Sequence, residues 1–288
     1  MANTVTWNKH DYVMKMRARV AKPTNWKDVL KVAYSNNRTV VNSYMSTEPD
    51  AVGGTRGTAY AYQDFVLTAD TLTISTYKNI PMLIDEADRF QQSYVGQMEI
   101  AEFQGKKISE YLEARMLAQH ASYKDFGVTD LANTGADDTS AITVSASNID
   151  DIIRAVKRKL YENNGVDFAT EKGMFFIWRP EDFEILEGFV QANGFREADI
   201  ALKNGIPVSK AFRYMGVDHY LSTQHTANHV MAGIKGIMEI GILRGTYGKA
   251  KFIEDPAKLS GLGIVSRVGY GLNWPDQLKE FFMDINVA

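Results

Sequence analysis

One acidic stretch of the sequence has the residue types of a magnesium-dependent phosphate chemistry. Residues 83–89 read LIDEADR, and carboxylates in such a box can hold a magnesium ion and polarise water. That chemistry also needs a phosphate-binding loop of the pattern GxxxxGK[ST]. The nearest candidate, residues 245–250, has Leu243 in the place of the first glycine and Ala250 in the place of the metal-binding hydroxyl. We therefore interpret the three acids of the box as the first turn of a helix, where their negative charges interact favourably with the helix dipole.

Two histidines have a spacing that could bind a metal ion. His225 and His229 stand four residues apart, so a helix would place both on one face. The residues between them supply no carboxylate, and their flanks favour strands, so we predict a polar loop. The sequence also contains no GxSxG nucleophile motif and no cysteine, which excludes disulfides and thiolate metal sites. It predicts a non-catalytic protein without a metal site or a cofactor.

The charge of the chain is unevenly distributed. The 288 residues carry a net charge of -3, with 45% hydrophobic and 23% charged residues, and no apolar stretch suits a membrane span or a signal peptide. Residues 1–35 hold seven basic and two acidic side chains, so a basic arm precedes an acidic body. Such an arm is either a solvated end or a contact to something acidic, such as a neighbouring subunit or nucleic acid. The candidate contact residues are Lys9, Lys15, Arg17 and Arg19.

The first third of the chain predicts a short helix over residues 26–34 and then a long β excursion. Residues 39–44, 58–68 and 71–77 are rich in Thr, Val and Tyr, as strands are, and a Pro/Gly/Asp cluster marks the loop tip at 48–57. A lone two-stranded hairpin is marginal in water and cannot bury both of its faces. We therefore expect another surface to cover it, and a neighbouring molecule is a natural candidate.

A helical stripe follows the β excursion. Apolar or small residues recur every three or four positions between Ala87 and Met116, which predicts one helix over about 40 residues, roughly 60 Å long. Gly105 lies on this stripe, where it either permits close approach of another segment or simply weakens the helix.

The second half of the chain alternates helices and strands. We predict an amphipathic helix of about 15 residues after Asn148, a buried strand over 174–178, and a second helix from Pro180. Residues 203–207 predict a turn, and residues 237–243 fit either a helix or a strand. Further strands are predicted at 214–222, 230–234, 263–271 and 280–287. The whole pattern indicates an α+β protein.

The order of these parts resembles that of a known family. An acidic box, DEAD at 85–88, opens the long helix after the excursion, and VSRVGYG at 265–271 precedes a turn at Pro275 and a last strand. The NGIP turn at 204–207 and the segment MGVDHYLS at 215–222 fit the same pattern. This succession resembles the major capsid proteins of tailed bacteriophages, with the Hong Kong 97-type shell fold.

The resemblance implies a division of the chain into an arm, a loop and two domains. The arm would comprise 1–35, the extended loop 36–78, the peripheral domain 79–146 with 241–288, and the axial domain 147–240. The spine helix would span 86–124. The implied function is a non-catalytic major capsid protein, which self-assembles through hexamers and pentamers into the icosahedral or prolate head shell around the genome. The alternative is an encapsulin-like nanocompartment that encloses protein cargo.

The resemblance also implies partners and a location. These are a scaffolding protein, a portal protein, a decoration protein on the outside, and non-specific contact with packaged double-stranded DNA, but no membrane. The location would be the virion shell, assembled in the host cytoplasm. Some shells of this family cross-link through a lysine of the extended loop, but residues 36–77 contain no lysine, so we predict no cross-link. Because only about 35 residues precede the loop, we also expect a separate scaffolding protein and no maturation cleavage.

One residue of the loop tip suggests a specific contact between subunits. Arg56 stands between two glycines, and acidic side chains lie along the predicted spine helix. We hypothesise that Arg56 pairs with a neighbour's helix, and the alternative is a solvated arginine. The candidate partners are Glu99, Glu102, Glu110 and Glu113.

Overall fold

The computed structural model describes residues 22–45, 56–57, 66–85, 94–135, 138–193, 211–247, 249–254 and 261–288. The helices are α1 (Trp26–Val29), α2 (Tyr94–Leu117), α3 (Val128–Ala132), α4 (Ile149–Glu162), α5 (Val166–Lys172) and α6 (Pro180–Ala192), with 3-10 turns at His120–Ser122 and Asp276–Phe281. The strands are β1 (Lys31–Ser35), β2 (Thr39–Met45), β3 (Leu67–Thr73), β4 (Thr76–Asp85), β5 (Lys124–Phe126), β6 (Met174–Trp178), β7 (Ala211–Tyr214), β8 (Val217–Leu221), β9 (His229–Ile234), β10 (Glu239–Leu243), β11 (Ala250–Glu254), β12 (Gly261–Asn273) and β13 (Phe282–Asn286).

A six-stranded sheet forms the centre of the molecule, with the order β5-β13-β9-β6-β8-β7. The predicted strand at 174–178 is β6, which pairs parallel to β8 and antiparallel to β9. All five of its side chains are buried, as its uninterrupted apolar sequence predicts. The predicted helix after Asn148 is α4, whose apolar positions are buried in the same core.

A five-stranded sheet is built around the long strand β12. On one side, β4 pairs with β12 from Thr76 to Asp85. On the other side, β10 and β11 pair with different parts of β12, and β1 adds to β10 in parallel. The segment 237–243, which fitted either element, thus contributes a strand because β1 and β12 supply its hydrogen-bonding partners.

The long helix is present, but it is shorter than predicted. Its described part, α2, ends at Leu117 rather than near residue 124. The Tyr123 hydroxyl donates to the Met116 carbonyl, and the chain then turns so that β5 can pair with β13. The apolar stripe is confirmed where it reaches the core, since Ile108, Leu112 and Met116 are buried.

The interpretation of the acidic box as a helix start is wrong for its first residue. Asp85 is the last residue of β4 and pairs with Gly261 of β12, so it belongs to a sheet. Glu86 and Asp88 lie outside the described residues. Among the described residues, Gly105 approaches no other segment closely, because a Cβ added there would meet no atom of another segment within 4 Å.

Two other local predictions need correction. The segment predicted as one helix, residues 26–34, is a four-residue helix followed by strand β1, since β10 offers an edge on which the chain can pair. The segment predicted as one strand, residues 214–222, contains a reversal between β7 and β8. Met215 and Gly216 both adopt positive φ there, at 52° and 77°, which turns the chain into a hairpin.

The two sheets share one continuous core, and their strands cross the predicted domain boundaries. The core cluster extends from Trp26 through α2 and β6 to Val287. Strands β5 and β13 pair within the six-stranded sheet, although the sequence places them in the peripheral domain. Their placement follows from β9, whose free edge accepts the C-terminal strand. No helix within the described ranges has both the length and the hydrophobicity needed to cross a bilayer.

Candidate assembly surfaces

The hairpin of β2 and β3 has two faces of different character. The strands pair antiparallel from Thr39 with Thr73 to Met45 with Leu67. Side chains of β3 alternate between exposed and partly or fully buried positions, because one face lies against the five-stranded sheet. The opposite face carries Val41 and Leu67, which are 58% and 63% exposed. The expectation that another surface covers the hairpin is therefore met within the chain for one face, whereas the opposite face is exposed among the described residues.

The base of the hairpin is fixed firmly to the body of the protein. Leu72 of β3 and Ile74, two residues further along the chain, are fully buried. A side chain on Gly241 would come within 2.8 Å of Leu72. The Asn273 side-chain amide donates to the Asp70 carboxylate at 2.7 Å, which ties the hairpin to the end of β12. The exposed face is thus held in place while its apolar residues point away from the core.

The outer part of the five-stranded sheet also exposes apolar side chains, on both of its faces. In register, Leu83 and Ile253 flank Gly263 of β12, and both side chains are substantially exposed. Met82 and Phe252 flank the neighbouring position of β12 on the opposite face, and they are 45% and 51% exposed. Apolar residues clustered on a surface mark interaction sites more often than residues scattered singly. Together with the exposed face of the hairpin, both faces of this sheet region offer apolar surface to a partner.

The end of the arm crosses the spine helix at a buried carboxylate. The backbone amides of Asn25 and Trp26 both donate to Glu113 Oε2, at 2.9 Å and 2.7 Å. The Trp26 ring is fully buried, and its Nε1 donates to the hydroxyl of Ser109 on the same helix. Burial raises the pKa of Glu113 to about 7, although the amide donors act in the opposite direction. This contact fixes residues 25 and 26 against helix α2.

Of the four glutamates proposed as partners of Arg56, the described residues include one whose side chain is open to a neighbouring subunit. Glu113 is buried beneath the arm, and Glu110 is buried while accepting from Lys107 Nζ at 3.0 Å and from the backbone amide of Lys22. In the single chain, both carboxylates are thus occupied by groups of their own chain and are not open to another subunit. Glu102 is exposed and pairs with Lys106 one helical turn away. The side chain of Glu99 lies outside the described residues.

The remaining candidates are at the hairpin tip and in the arm. Arg56 is exposed in a turn in which Gly57 has φ of 88°, so its position is open to a partner. The basic arm residues Lys9, Lys15, Arg17 and Arg19 lie outside the described residues.

The two histidines with metal-binding spacing lie in different local structures. Burial lowers the pKa of His225 to about 4, so its ring stays neutral. His229 begins strand β9 and contacts Asp284, a residue far away in the sequence. The predicted loop is confirmed for His225, but His229 is part of a sheet.

The sequence matches no protein-family model and no curated protein, so relationships come from comparison of structures. The capsid structure of the cyanophage P-SCSP1u superposes with a TM-score of 0.63 at 12% identity, covering 100% of this chain and 97% of that one. The capsid of an empty GTA particle gives a TM-score of 0.68 at 12% identity, with 98% and 95% covered. A virus-like particle from Pyrococcus furiosus gives 0.56 at 10% identity, with 92% of each chain covered. The chain therefore has the fold of phage capsid proteins over nearly its whole length, which confirms the predicted α+β capsid fold.

Proposed function

We propose that this chain is the major capsid protein of a tailed bacteriophage. Many copies of it assemble, as hexamers and pentamers, into the icosahedral or prolate shell that encloses the genome. The observation that carries this proposal is the likeness to phage capsid structures, which extends over nearly the whole chain. The likeness is therefore not limited to one core domain of a kind that proteins of unrelated function share.

The surfaces of the chain support a role in assembly. A shell protein works through repeated contacts between different faces of identical subunits, and curvature closes the array. Such contacts need apolar area that the folded subunit leaves exposed. The hairpin face with Val41 and Leu67 and the sheet region with Leu83 and Phe252 provide that area. In this proposal, the role of the chain is structural and involves no substrate.

The proposal includes the partners that such a shell needs. A scaffolding protein and a portal protein would take part in assembly in the host cytoplasm, and a decoration protein would bind the outer surface. The basic arm would contact the packaged DNA or a neighbouring subunit through Lys9, Lys15, Arg17 and Arg19. Contact with DNA would be independent of sequence and would weaken as salt concentration rises.

Negative-stain electron microscopy tests the proposal directly. The chain is expressed alone and together with the phage's own assembly proteins, and the products are imaged. We expect closed shells, tubes or capsomers with six- or fivefold outline. A chain that remains monomeric or dimeric with its assembly proteins present would overturn the proposal. Shells filled with protein cargo instead of DNA would favour the nanocompartment alternative.

The hairpin face can be tested separately with a matched control. Val41→Asp combined with Leu67→Asp places two charges on the exposed face, and we expect the subunit to fold but not to assemble. The control is Val166→Asp, which charges an exposed valine on α5, far from the hairpin in sequence. Assembly of the double variant at the wild-type yield would exclude this face as a contact between subunits.

The contact of Arg56 is proposed with Glu102 of a neighbouring spine helix. Arg56→Glu should lower the yield of shells, and Glu102→Arg in the same chain should restore it. An exposed pair of this kind contributes only about 0.2–1 kcal/mol, but a shell repeats it at every contact. A charge reversal that leaves the yield unchanged would show that Arg56 is merely solvated.

The absence of a cross-linking lysine gives a further expected result. Assembled shells should dissociate into single bands of monomer size on denaturing gels, because residues 36–77 contain no lysine. A ladder of covalent oligomers would contradict this expectation.

A further inference from the structure

Three side chains of the kind that ligate metals meet at the junction of the spine helix and the six-stranded sheet. His120 lies in the 3-10 turn after α2, His229 begins β9, and Asp284 is in β13. Each offers one ligand atom, and these atoms all lie within 4.8 Å of one another. The three residues come from separate segments that only the fold brings together.

The three ligand atoms lie close to one another. Oδ2 of Asp284 lies 2.8 Å from Nδ1 of His229 and 3.4 Å from Nδ1 of His120. The two imidazole rings are stacked, with centroids 3.7 Å apart and an interplanar angle of 25°. Both rings thus present the same nitrogen to the same carboxylate.

The surroundings of the cluster suit a cation. The side chain of Asp284 is 3% exposed, so its charge is largely removed from water and needs compensation. Asn286 lies directly opposite His229 in the ladder, and its buried side-chain nitrogen has no hydrogen-bond partner. Because an amide can be turned to present its oxygen instead, Asn286 could offer a fourth donor or hold a bound water. Both histidines are 24% exposed, which leaves a path from solvent.

We propose that His120, His229 and Asp284 bind one divalent transition-metal ion of the Zn²⁺ or Co²⁺ type. Two imidazole nitrogens and one carboxylate oxygen form a ligand set that these ions accept. Bond lengths of about 2.0–2.2 Å require the three side chains to separate around the ion, and the two stacked rings to turn so that both Nδ1 lone pairs face it. Each imidazole ligates through an Nδ1 that carries no proton, so a proton held there moves to Nε2 or passes to solvent.

The bound ion would fasten the end of the spine helix to the sheet. His120 follows the helix by three residues, whereas His229 and Asp284 belong to two neighbouring strands of the sheet. One ion would thus join three segments that lie far apart in the sequence. The inference goes beyond the proposed shell function and is tested on the unassembled chain, so the two can fail independently.

The test uses the full chain without a histidine tag, first treated with a chelator and then titrated with Co²⁺. We expect one Co²⁺ per chain, visible by its absorption, displaced by Zn²⁺, and a higher melting temperature with metal. His120→Asn should weaken binding about tenfold or more, whereas Gln119→Asn, in the same turn, should bind as wild type. Equal affinity of wild type and His120→Asn, or no binding by wild type, would overturn the proposal.

A measurement on the wild-type chain alone makes the test independent of how the variants fold. Cu²⁺ bound at this site should show magnetic coupling to two imidazole nitrogens in electron paramagnetic resonance. Coupling to two nitrogens supports the ligand set. Coupling to one imidazole or to none would overturn it.

Discussion

The six-stranded sheet and the hairpin differ in where they place their apolar side chains. Strand β6 buries all five of its residues, with helices α4 and α6 contributing to the same core. In the hairpin, only one face of the strands is turned toward the body, and Val41 and Leu67 remain exposed on the other. The sheet is therefore complete within one chain, whereas the hairpin leaves apolar surface that folding does not use.

This difference separates residues that stabilise the subunit from residues available to a partner. Full burial of a large apolar side chain contributes about 1.5–3 kcal/mol to folding, so changes in the six-stranded sheet should act on the subunit itself. An exposed side chain contributes little to folding. Changes on the hairpin face should therefore act on assembly and leave the subunit intact.

The largest effect on the subunit is expected from Trp178→Ala in β6. The ring is fully buried, stacks on Phe176 with centroids 5.0 Å apart, and donates from Nε1 to His219. We expect a loss of about 3–5 kcal/mol in the free energy of unfolding, measured by urea denaturation. Tyr161→Ala, which truncates an exposed aromatic residue of α4, is the control. A loss below about 1 kcal/mol would contradict the description of this sheet as the centre of the core.

A smaller loss is expected where the hairpin meets the sheet. A side chain on Gly271 would lie 2.1 Å from the Thr73 carbonyl oxygen, so Gly271→Ala must displace the base of the hairpin. We expect a loss of about 1–3 kcal/mol in the free energy of unfolding and faster proteolysis within the hairpin. Gly105→Ala, where the added methyl meets no atom of the chain, should not increase proteolysis. Equal proteolysis of the two variants would show that the hairpin is not fixed at this point.

The contact between the arm and the spine helix should depend on pH. Burial raises the pKa of Glu113 from 4.5 to about 7, so the folded chain keeps a proton that the unfolded chain releases. The stability that this group contributes is fully present below pH 4.5 and is lost as the pH rises through 7. Glu113→Gln should remove this decline, which amounts to about 1 kcal/mol per pH unit within that window.

Denaturation curves recorded between pH 4.5 and 8 measure the effect of Glu113 as the difference between variant and wild type. Glu102→Gln is the matched control, since that side chain is exposed on the same helix. If the difference between Glu113→Gln and wild type stays constant across this range, Glu113 is not the group that carries the pH dependence.

The smallest effect on stability is expected on the exposed face of the hairpin. Leu67→Asp should change the free energy of unfolding by no more than about 0.5 kcal/mol, because the exposed leucine side chain makes little contact with the core that the substitution could remove. The same substitution should lower the yield of assembled shells. A large loss of subunit stability would show that this face packs within the chain, which would remove the contrast between the two regions.

Much of the fold could be predicted from the sequence because local signals agree with the final structure. The apolar run of β6, the amphipathic pattern of α4 and the stripe of α2 at Ile108, Leu112 and Met116 specify their own elements. The β-rich segment also predicted the hairpin; its strand β3 overlaps the end of the predicted strand 58–68, and residues 58–65 lie outside the described residues. The order of these elements, more than any single motif, indicated the capsid fold.

The tertiary structure alone decided which side chains remain free and which meet. Glu110 and Glu113 share a helix with the exposed Glu102, and only the packing of residues 22–26 shows that their own chain occupies them. The ends of α2 and β4 were set by pairing with distant strands, which periodicity does not reveal. His120, His229 and Asp284 converge because strand pairing brings distant segments together, and no spacing along the sequence records such a contact.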